Sequence, residues 1–169
     1  MDILIVDGYN VIGASSSWNA LKESDLAAAR DDLIAKLANY QGYKGVKVIV
    51  VFDAHLVPGV EKKMTQNKVE VLYTKENETA DECIEKLAMS LKNKRTQVSV
   101  ATSDFTEQWA IFGQGALRLS ARELLQEFKM IENNITKALE NKKSKKAKVK
   151  IQLSSEIAEI FEKWRRGSR

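Results

Sequence analysis

Four aspartates stand where predicted strands end or where a predicted helix begins. Asp7 follows the apolar run at residues 3–6, and Asp53 follows a second apolar run. Asp104 comes two residues after the fourth predicted strand, and Asp81 falls in the first turn of a predicted helix. Because the carboxyl ends of parallel strands meet at one edge of a sheet, we expect these four carboxylates to lie together.

Carboxylates gathered at one edge repel one another unless they bind protons or cations. Mg²⁺ prefers hard oxygen ligands and keeps several of its waters. A Mg²⁺ or Mn²⁺ ion held at such an edge can clamp a phosphate, activate water and stabilise a leaving oxygen. The pattern therefore indicates metal-dependent hydrolysis of a phosphodiester.

Each of these acids also has a purely structural interpretation. Asp and Glu favour helix N-termini, which could account for Asp81 and Asp104. The pair Asp7-Gly8 is common in turns, and Asp53 could simply end a strand. The occurrence of all four at one predicted edge is what favours the metal site.

The segments around the acids alternate between strand and helix patterns. Short apolar or alternating runs predict strands at residues 3–6, 46–52, 68–73 and 97–102. Helical spacing and capping signals predict helices at residues 26–40, 77–92, 106–112 and 120–139. Loops are expected at residues 14–19 and 55–67. This order predicts a three-layer α/β/α sandwich around a mostly parallel sheet of at least four strands.

Composition limits the class of protein further. The chain has 169 residues, of which 44% are hydrophobic, enough for one core with an appendage. No apolar run is long enough to span a membrane, and the single cysteine, Cys83, permits no internal disulfide. No export signal is evident at the N-terminus, so we expect a cytoplasmic protein.

The net charge of +4 is distributed unevenly along the chain. Residues 141–169 contain ten Lys or Arg and three Glu, a net charge of +7, which leaves −3 for residues 1–140. We therefore predict a domain at residues 1–140 and a basic extension at 141–169. The extension is expected to contain a Lys-rich linker followed by a short amphipathic helix at residues 154–164. Basic tails commonly bind nucleic acid or other polyanions.

Several residues outside the acidic set are candidates for RNA contact. Most are cations after residue 115, and one is an aromatic residue in a predicted loop that could stack on a base. They are Arg118, Arg122, Trp18, Lys142, Lys143, Lys145, Lys146, Arg165 and Arg166.

The acidic segments also resemble a known family. Asp7-Gly8-Tyr9-Asn10-Val11-Ile12 resembles the opening motif of the NYN domain, a branch of the PIN-like nuclease superfamily. The later acidic motifs of that domain are matched in the same order, and two further segments resemble its YacP branch. The matching segments are residues 51–54, 74–81 and 101–104, then 112–116 and 120–124.

This resemblance implies a PIN-like fold and an endoribonuclease that uses Mg²⁺ or Mn²⁺. It implies that Asp7, Asp81 and Asp104 are catalytic metal ligands and that Asn10 orients the site. We expect Asp53 to support the metal from outside the direct ligand set. Products would carry 5′-phosphate and 3′-hydroxyl ends. The YacP group contains ribosome-associated enzymes that cleave mRNA, so mRNA and the ribosome are the implied partners. Neither a membrane nor a small-molecule cofactor besides the metal is expected.

Other functions compete with this interpretation. An RNA- or ribosome-binding module with a silent site is the main alternative, and metal-dependent cleavage would distinguish it. A haloacid-dehalogenase-like phosphatase needs an acid two residues after Asp7, where Tyr9 stands. The single histidine, His55, excludes a two-histidine ribonuclease. No glycine-rich phosphate loop follows the first strand.

Overall fold

The computed structural model describes the chain except residues 55–62, 76, 105–112, 114, 168 and 169, and residues 146–155 are described as helical backbone. The chain divides into two compact units, Met1–Ile131 and Glu132–Arg169. The first unit contains the sheet, and the second is formed by the later turns of the last helix and the residues that follow it.

Strands and helices alternate through the first unit. The strands are β1 (Asp2–Asp7), β2 (Lys47–Phe52), β3 (Lys63–Gln66), β4 (Val69–Tyr73), β5 (Gln97–Ala101) and β6 (Leu117–Leu119). The helices are α1 (Gly8–Ala14), α2 (Ser16–Ser24), α3 (Leu26–Lys44), α4 (Ala80–Leu91) and α5 (Ala121–Arg165).

The sheet has the strand order β3-β4-β2-β1-β5-β6. All neighbouring strands are parallel except β3 and β4, which are antiparallel. The chain moves from β1 to β2 and β4 in one direction and then returns through α4 to β5 on the other side of β1. The order therefore reverses between β1 and β5, and ligands of open α/β sheets bind at such a position.

Helices cover both faces of the sheet. Leu4 and Val6 of β1 face a core formed with α1, α2, α3 and the first turns of α5. Ile3 and Ile5 face the opposite core, which is formed with α4. Burial on both faces explains why β1 and β2 are nearly continuous apolar runs. The predicted α/β/α sandwich is confirmed.

The structure corrects several local predictions. Residues 14–19 are helical on both sides of Ser15 rather than a loop, because Trp18 and Leu21 pack against the core. The predicted loop at residues 55–67 ends in a strand, β3, whose exposed residues carry little apolar signal. The three-residue edge strand β6 was not predicted. The predicted helix at residues 106–112 lies outside the described residues.

The basic segment does not form the predicted linker. Helix α5 is continuous over Ala121–Arg165, through the lysines that were expected to separate two helices. No glycine or proline occurs between residues 121 and 166, and Lys, Glu, Gln and Ala are strong helix formers. The helix ends just before Gly167, which adopts a positive φ of 55°. The border at residue 140 between a nuclease domain and its extension stays a prediction. No helix in the described ranges combines the length and the apolarity of a membrane span.

The close approach of α1 to β2 gives a stability prediction. A Cβ atom at Gly8 would overlap the Phe52 ring, whereas a Cβ atom at Gly13 in the same helix would meet open space. We expect Gly8→Ala to lower the free energy of unfolding by about 1–3 kcal/mol through overpacking. Gly13→Ala should raise it by up to about 1 kcal/mol, because alanine favours the helix. Urea unfolding of both variants measures this, and equal stability of the two would contradict the packing argument.

Candidate active site

Asp7 lies at the centre of the sheet edge, at the carboxyl end of β1. Its side chain is 8% exposed, and its Oδ1 accepts a hydrogen bond of 3.2 Å from the backbone N–H of Asn10. This bond caps the N-terminus of α1, where aspartate is a preferred residue. A single residue thus ends the strand, begins the helix and places a carboxylate beside the switch point.

Asn10 connects the two sides of that switch point. Its side-chain Oδ1 accepts a hydrogen bond of 2.6 Å from the backbone N–H of Ser103, in the loop after β5. In the same loop, the N–H of Asp104 donates to Thr102 Oγ1 over 3.1 Å, and the N–H of Thr102 donates to the carbonyl of Leu119. Asn10 and Thr102 therefore fix the backbone that carries Asp104.

A second threonine fixes the chain next to Asp53. The N–H of Ala54 donates to Thr74 Oγ1 over 3.0 Å, and the N–H of Thr74 donates to the carbonyl of Phe52 over 3.0 Å. Thr74 is 1% exposed, so these bonds are shielded from water. Asp53 is thereby held at the carboxyl end of β2, beside Asp7.

Asp81 lies at the N-terminus of α4, the helix that packs on one face of the sheet. It is the second residue of α4, whose capping box is formed by Thr79 and Glu82. The N–H of Thr79 donates to Glu82 Oε2 over 3.3 Å, and the N–H of Glu82 donates to Thr79 Oγ1 over 3.2 Å. The predicted capping box is confirmed, and it fixes the helix N-terminus at the same edge as Asp7.

The electrostatics of Asp7 show that the four acids influence one another. Burial raises the pKa of Asp7 to about 6, although the Asn10 N–H acts in the opposite direction. The negative charges of Asp81, Asp104 and Asp53 raise it further. Burial also raises the pKa of Asp81, followed by the charge of Asp104. The structure therefore brings the four aspartates within electrostatic reach at one edge.

The chemistry of this edge is compatible with a divalent cation. The donors are hard carboxylate oxygens, and a cation would offset both the burial and the repulsion that raise the pKa of Asp7. Among the described residues, no three Asp, Glu, His or Cys side chains already converge on one metal position. Mg²⁺ usually binds through one or two protein carboxylates together with water and substrate phosphates. The open cluster suits that mode, and the role of each aspartate as a ligand stays a prediction.

Trp18 is not placed where a nucleobase could stack on it. It lies in α2 rather than in a loop and is only 4% exposed. Its indole Nε1–H donates to Asp32 Oδ2 over 2.6 Å. Because the Trp18 ring packs in the core, it cannot stack on a base, and the prediction that Trp18 contacts RNA is wrong.

The predicted cationic contacts fall in both units. In the first unit, Arg118 lies exposed on β6 and Arg122 lies exposed in the first turn of α5. In the second unit, the predicted contacts Lys142, Lys143 and Lys145 are exposed, while the side chain of Lys146 lies outside the described residues. Arg165 and Arg166 both contact Glu162, at 3.0 and 3.3 Å. Their binding to RNA stays a prediction.

Sequence reasoning missed four residues that shape the site. Thr74 and Thr102 each stand immediately after a strand, and a polar residue at that position was a signal that could have identified them. Tyr9 and Arg30 bond to each other beside Asp7. Nothing in the sequence distinguishes Arg30 from a solvated cation on the surface of α3.

A mostly parallel α/β sandwich with carboxylates at its switch point is a nuclease-like arrangement. The family model described as the YacP-like NYN domain matches residues 4–166. The chain belongs to the YacP-like NYN-domain family.

Relatives from Bacillus subtilis support this membership. The chain is 62% identical over 167 residues to YacP of strain 168, covering 99% of this chain and 98% of that protein. The crystal structure of Rae1 (YacP) from Bacillus subtilis matches with a TM-score of 0.77 and 62% identity, covering 99% and 96% of the two chains. The structure of its W164L mutant matches with the same TM-score and 58% identity, covering 85% of each chain.

The buried carboxyl of Asp7 predicts an unusual dependence of stability on pH. Its pKa in the folded protein, about 6, lies above the ordinary value of 3.8, so ionisation disfavours the folded state. The contribution of Asp7 to stability is therefore most favourable below about pH 4, and this contribution is lost as the pH rises through 6. We expect Asp7→Asn without metal to raise the free energy of unfolding by up to about 3 kcal/mol near neutral pH. The gain should shrink at acidic pH, as measured by urea unfolding across the pH range.

Asp25→Asn provides the matched control for this measurement. Asp25 caps α3 as Asp7 caps α1, accepting a hydrogen bond of 2.9 Å from the Ala28 N–H, but it is exposed to solvent. Its replacement should change stability by less than about 1 kcal/mol, since asparagine caps helices equally well. A destabilised Asp7→Asn variant at neutral pH would contradict the proposed penalty.

Proposed function

We propose that this protein is a metal-dependent endoribonuclease that hydrolyses phosphodiester bonds of mRNA in association with the translating ribosome. The observation that carries the proposal is the buried Asp7, which has a pKa raised to about 6 and stands among three other aspartates. Groups with strongly perturbed pKa values in a ligand-binding crevice are candidates for catalysis. The membership of the family supports the same chemistry.

The proposal gives the site residues distinct tasks. Asp7, Asp81 and Asp104 would hold Mg²⁺ or Mn²⁺, and Asp53 would lie outside the direct ligand set. When bound, the ion supplies positive charge for the phosphate and activates water for hydrolysis. Asn10 is a positioning residue, because it holds the backbone of the loop that carries Asp104. Asp7 must be ionised to act as a ligand, so metal affinity should rise as the pH passes 6.

The charge distribution supports a partner that presents the RNA. The acidic edge repels phosphates, while exposed lysines occur in the second unit along α5. Such lysines would attract RNA without regard to its sequence. In this proposal, the lysines of α5 attract ribosomal or messenger RNA, and the aspartates at the sheet edge serve its hydrolysis.

Replacing one carboxylate tests the nuclease. We expect Asp81→Asn to reduce cleavage of an mRNA in the presence of Mg²⁺ by about 100-fold or more, since a lost metal ligand costs several kcal/mol of transition-state stabilisation. Glu82→Gln is the matched control, because it removes the neighbouring charge while glutamine keeps the capping box. Each protein is assayed with and without translating ribosomes, and RNA ends are mapped.

The possible results separate the proposal from its alternatives. Cleavage by wild type and Glu82→Gln but not by Asp81→Asn supports a carboxylate–metal nuclease, and the ribosome arms show what presents the substrate. Equal cleavage by all three proteins would mean a contaminant or a misplaced site. Ribosome binding without cleavage in any arm would favour the silent binding module.

The contribution of α5 is tested by neutralising its exposed lysines. Changing Lys142, Lys143 and Lys145 to glutamine preserves helix propensity and removes three charges. We expect weaker binding of single-stranded RNA, with the slope of log affinity against log salt reduced by about 2, or 0.7 for each lost phosphate contact. The triple lysine-to-arginine variant should bind as wild type does. An unchanged slope in the glutamine variant would remove these residues from the RNA interface.

A further inference from the structure

Arg30 brings a positive charge to the edge of the sheet that carries the four aspartates. It lies in the second turn of α3, and the helix that connects two parallel strands begins at their carboxyl edge. Its Nη1 donates a hydrogen bond of 3.1 Å to the hydroxyl of Tyr9, two residues after Asp7. The guanidinium is therefore fixed beside the candidate active site.

The partner of Arg30 is a neutral group. The phenol of a tyrosine has an ordinary pKa of about 10, so the Tyr9 hydroxyl is neutral at physiological pH and does not neutralise the guanidinium. The two acids that follow Arg30 bond elsewhere, with Asp31 accepting from Gln66 and Asp32 from Trp18. Within the described ranges, no carboxylate forms an ion pair with Arg30.

Two other partly exposed cations of the first unit are arranged differently. Lys47 meets Glu70 at 2.9 Å, and Lys44 meets Glu127 at 3.0 Å. Their charges are compensated within the protein, whereas Arg30 keeps N–H donors that no protein acceptor in the described part of the chain uses. A half-buried guanidinium with unused N–H donors is suited to bind an anionic group of a ligand.

Aromatic packing holds this pair in place. The Tyr9 ring lies 5.0 Å from Phe52, and Phe52 lies 5.7 Å from Tyr73. Gly8 permits the approach, since a side chain there would overlap Phe52. Tyr9 is thus supported from β2 and in turn orients Arg30. A donor that is fixed before binding loses less entropy when a ligand arrives.

We propose that Arg30, oriented by Tyr9, binds a phosphate of the RNA backbone on the β2 side of Asp7, next to the phosphate that is hydrolysed. This inference rests on the proposed ribonuclease function. Guanidinium groups bind phosphate oxygens through paired, charge-assisted hydrogen bonds. A fixed cation here also offsets the repulsion between RNA and the acidic edge. The Tyr9 ring packs against Phe52, the residue before Asp53, which places this subsite next to the acids.

A structural role for Arg30 makes a different prediction. If Arg30 only supported Tyr9, its replacement would lower stability and leave the RNA affinity of the folded protein unchanged. If Arg30 binds phosphate, affinity falls even where the unfolding curve is unchanged. Tyr9→Phe, which keeps the ring packing and removes the hydroxyl, should give a smaller loss of affinity than Arg30→Gln.

The test measures binding of a single-stranded oligoribonucleotide to proteins that carry Asp81→Asn, so that cleavage does not interfere. We expect Arg30→Gln to weaken binding about tenfold and to reduce the salt slope by about 0.7. Arg95→Gln is the matched control: Arg95 is exposed and precedes β5 at the opposite edge of the sheet, so affinity should change less than about twofold. The same two changes in the otherwise wild-type protein are compared for mRNA cleavage on translating ribosomes, where Arg30→Gln should raise KM more than it lowers kcat.

The outcomes distinguish this inference from the function on which it rests. A larger loss with Arg30→Gln than with Arg95→Gln, in binding or in KM, supports the subsite. Equal behaviour of the two variants, while the wild type binds or cleaves RNA, overturns the subsite and leaves the nuclease intact. A wild type that neither binds RNA nor cleaves it in any arm overturns both.

Discussion

The burial of one carboxylate at the end of the central strand is the constraint on which the rest of the site depends. β1 has a hydrogen-bonded strand on each side and a helical layer on each face, so Asp7 has little access to water. The fold accepts a raised pKa at this position and offsets part of it with a single N–H from Asn10. The negative charge of Asp7 that this hydrogen bond does not offset can be neutralised by a proton or by a bound cation. A sequence selected for stability alone would place an uncharged cap here.

The three residues after Asp7 connect it to three different elements. Gly8 lets the chain pass against Phe52 of β2, Tyr9 reaches Arg30 of α3, and Asn10 bonds to Ser103 after β5. The orientation of the carboxylate is therefore determined by contacts on both sides of the switch point. This is the usual requirement for a site that has to be rigid before its ligand arrives.

The parts of the fold that the sequence predicted are those with a strong periodic or capping signal. β1 and β2 are buried on both faces and read as apolar runs, and the Thr79–Glu82 capping box marks the start of α4. The four aspartates could be assigned to one edge because parallel strands share that edge. β3 and β6 could not be predicted, since they are short, exposed edge strands whose pairing depends on their neighbours. Lysines suggested a linker within α5, although their intrinsic propensity favours a helix. Arg30 could not be found because its role depends on the hydroxyl of Tyr9, which is distant in sequence.

The cations of this protein act over different distances. Exposed lysines on α5 are screened by salt within about 10 Å, so they suit capture of RNA rather than its precise placement. Arg30 is half-buried and held by Tyr9, and a partly buried charge is screened less. Arg30 of α3 bonds to Tyr9, which packs on Phe52 of β2, whereas Arg118 lies on the edge strand β6 on the other side of β1. An RNA backbone bound in the proposed way would meet the positive charge of Arg30 on the β2 side of the aspartates. Placement of the scissile phosphate would then depend on short contacts at the edge, and attraction from solution would depend on α5.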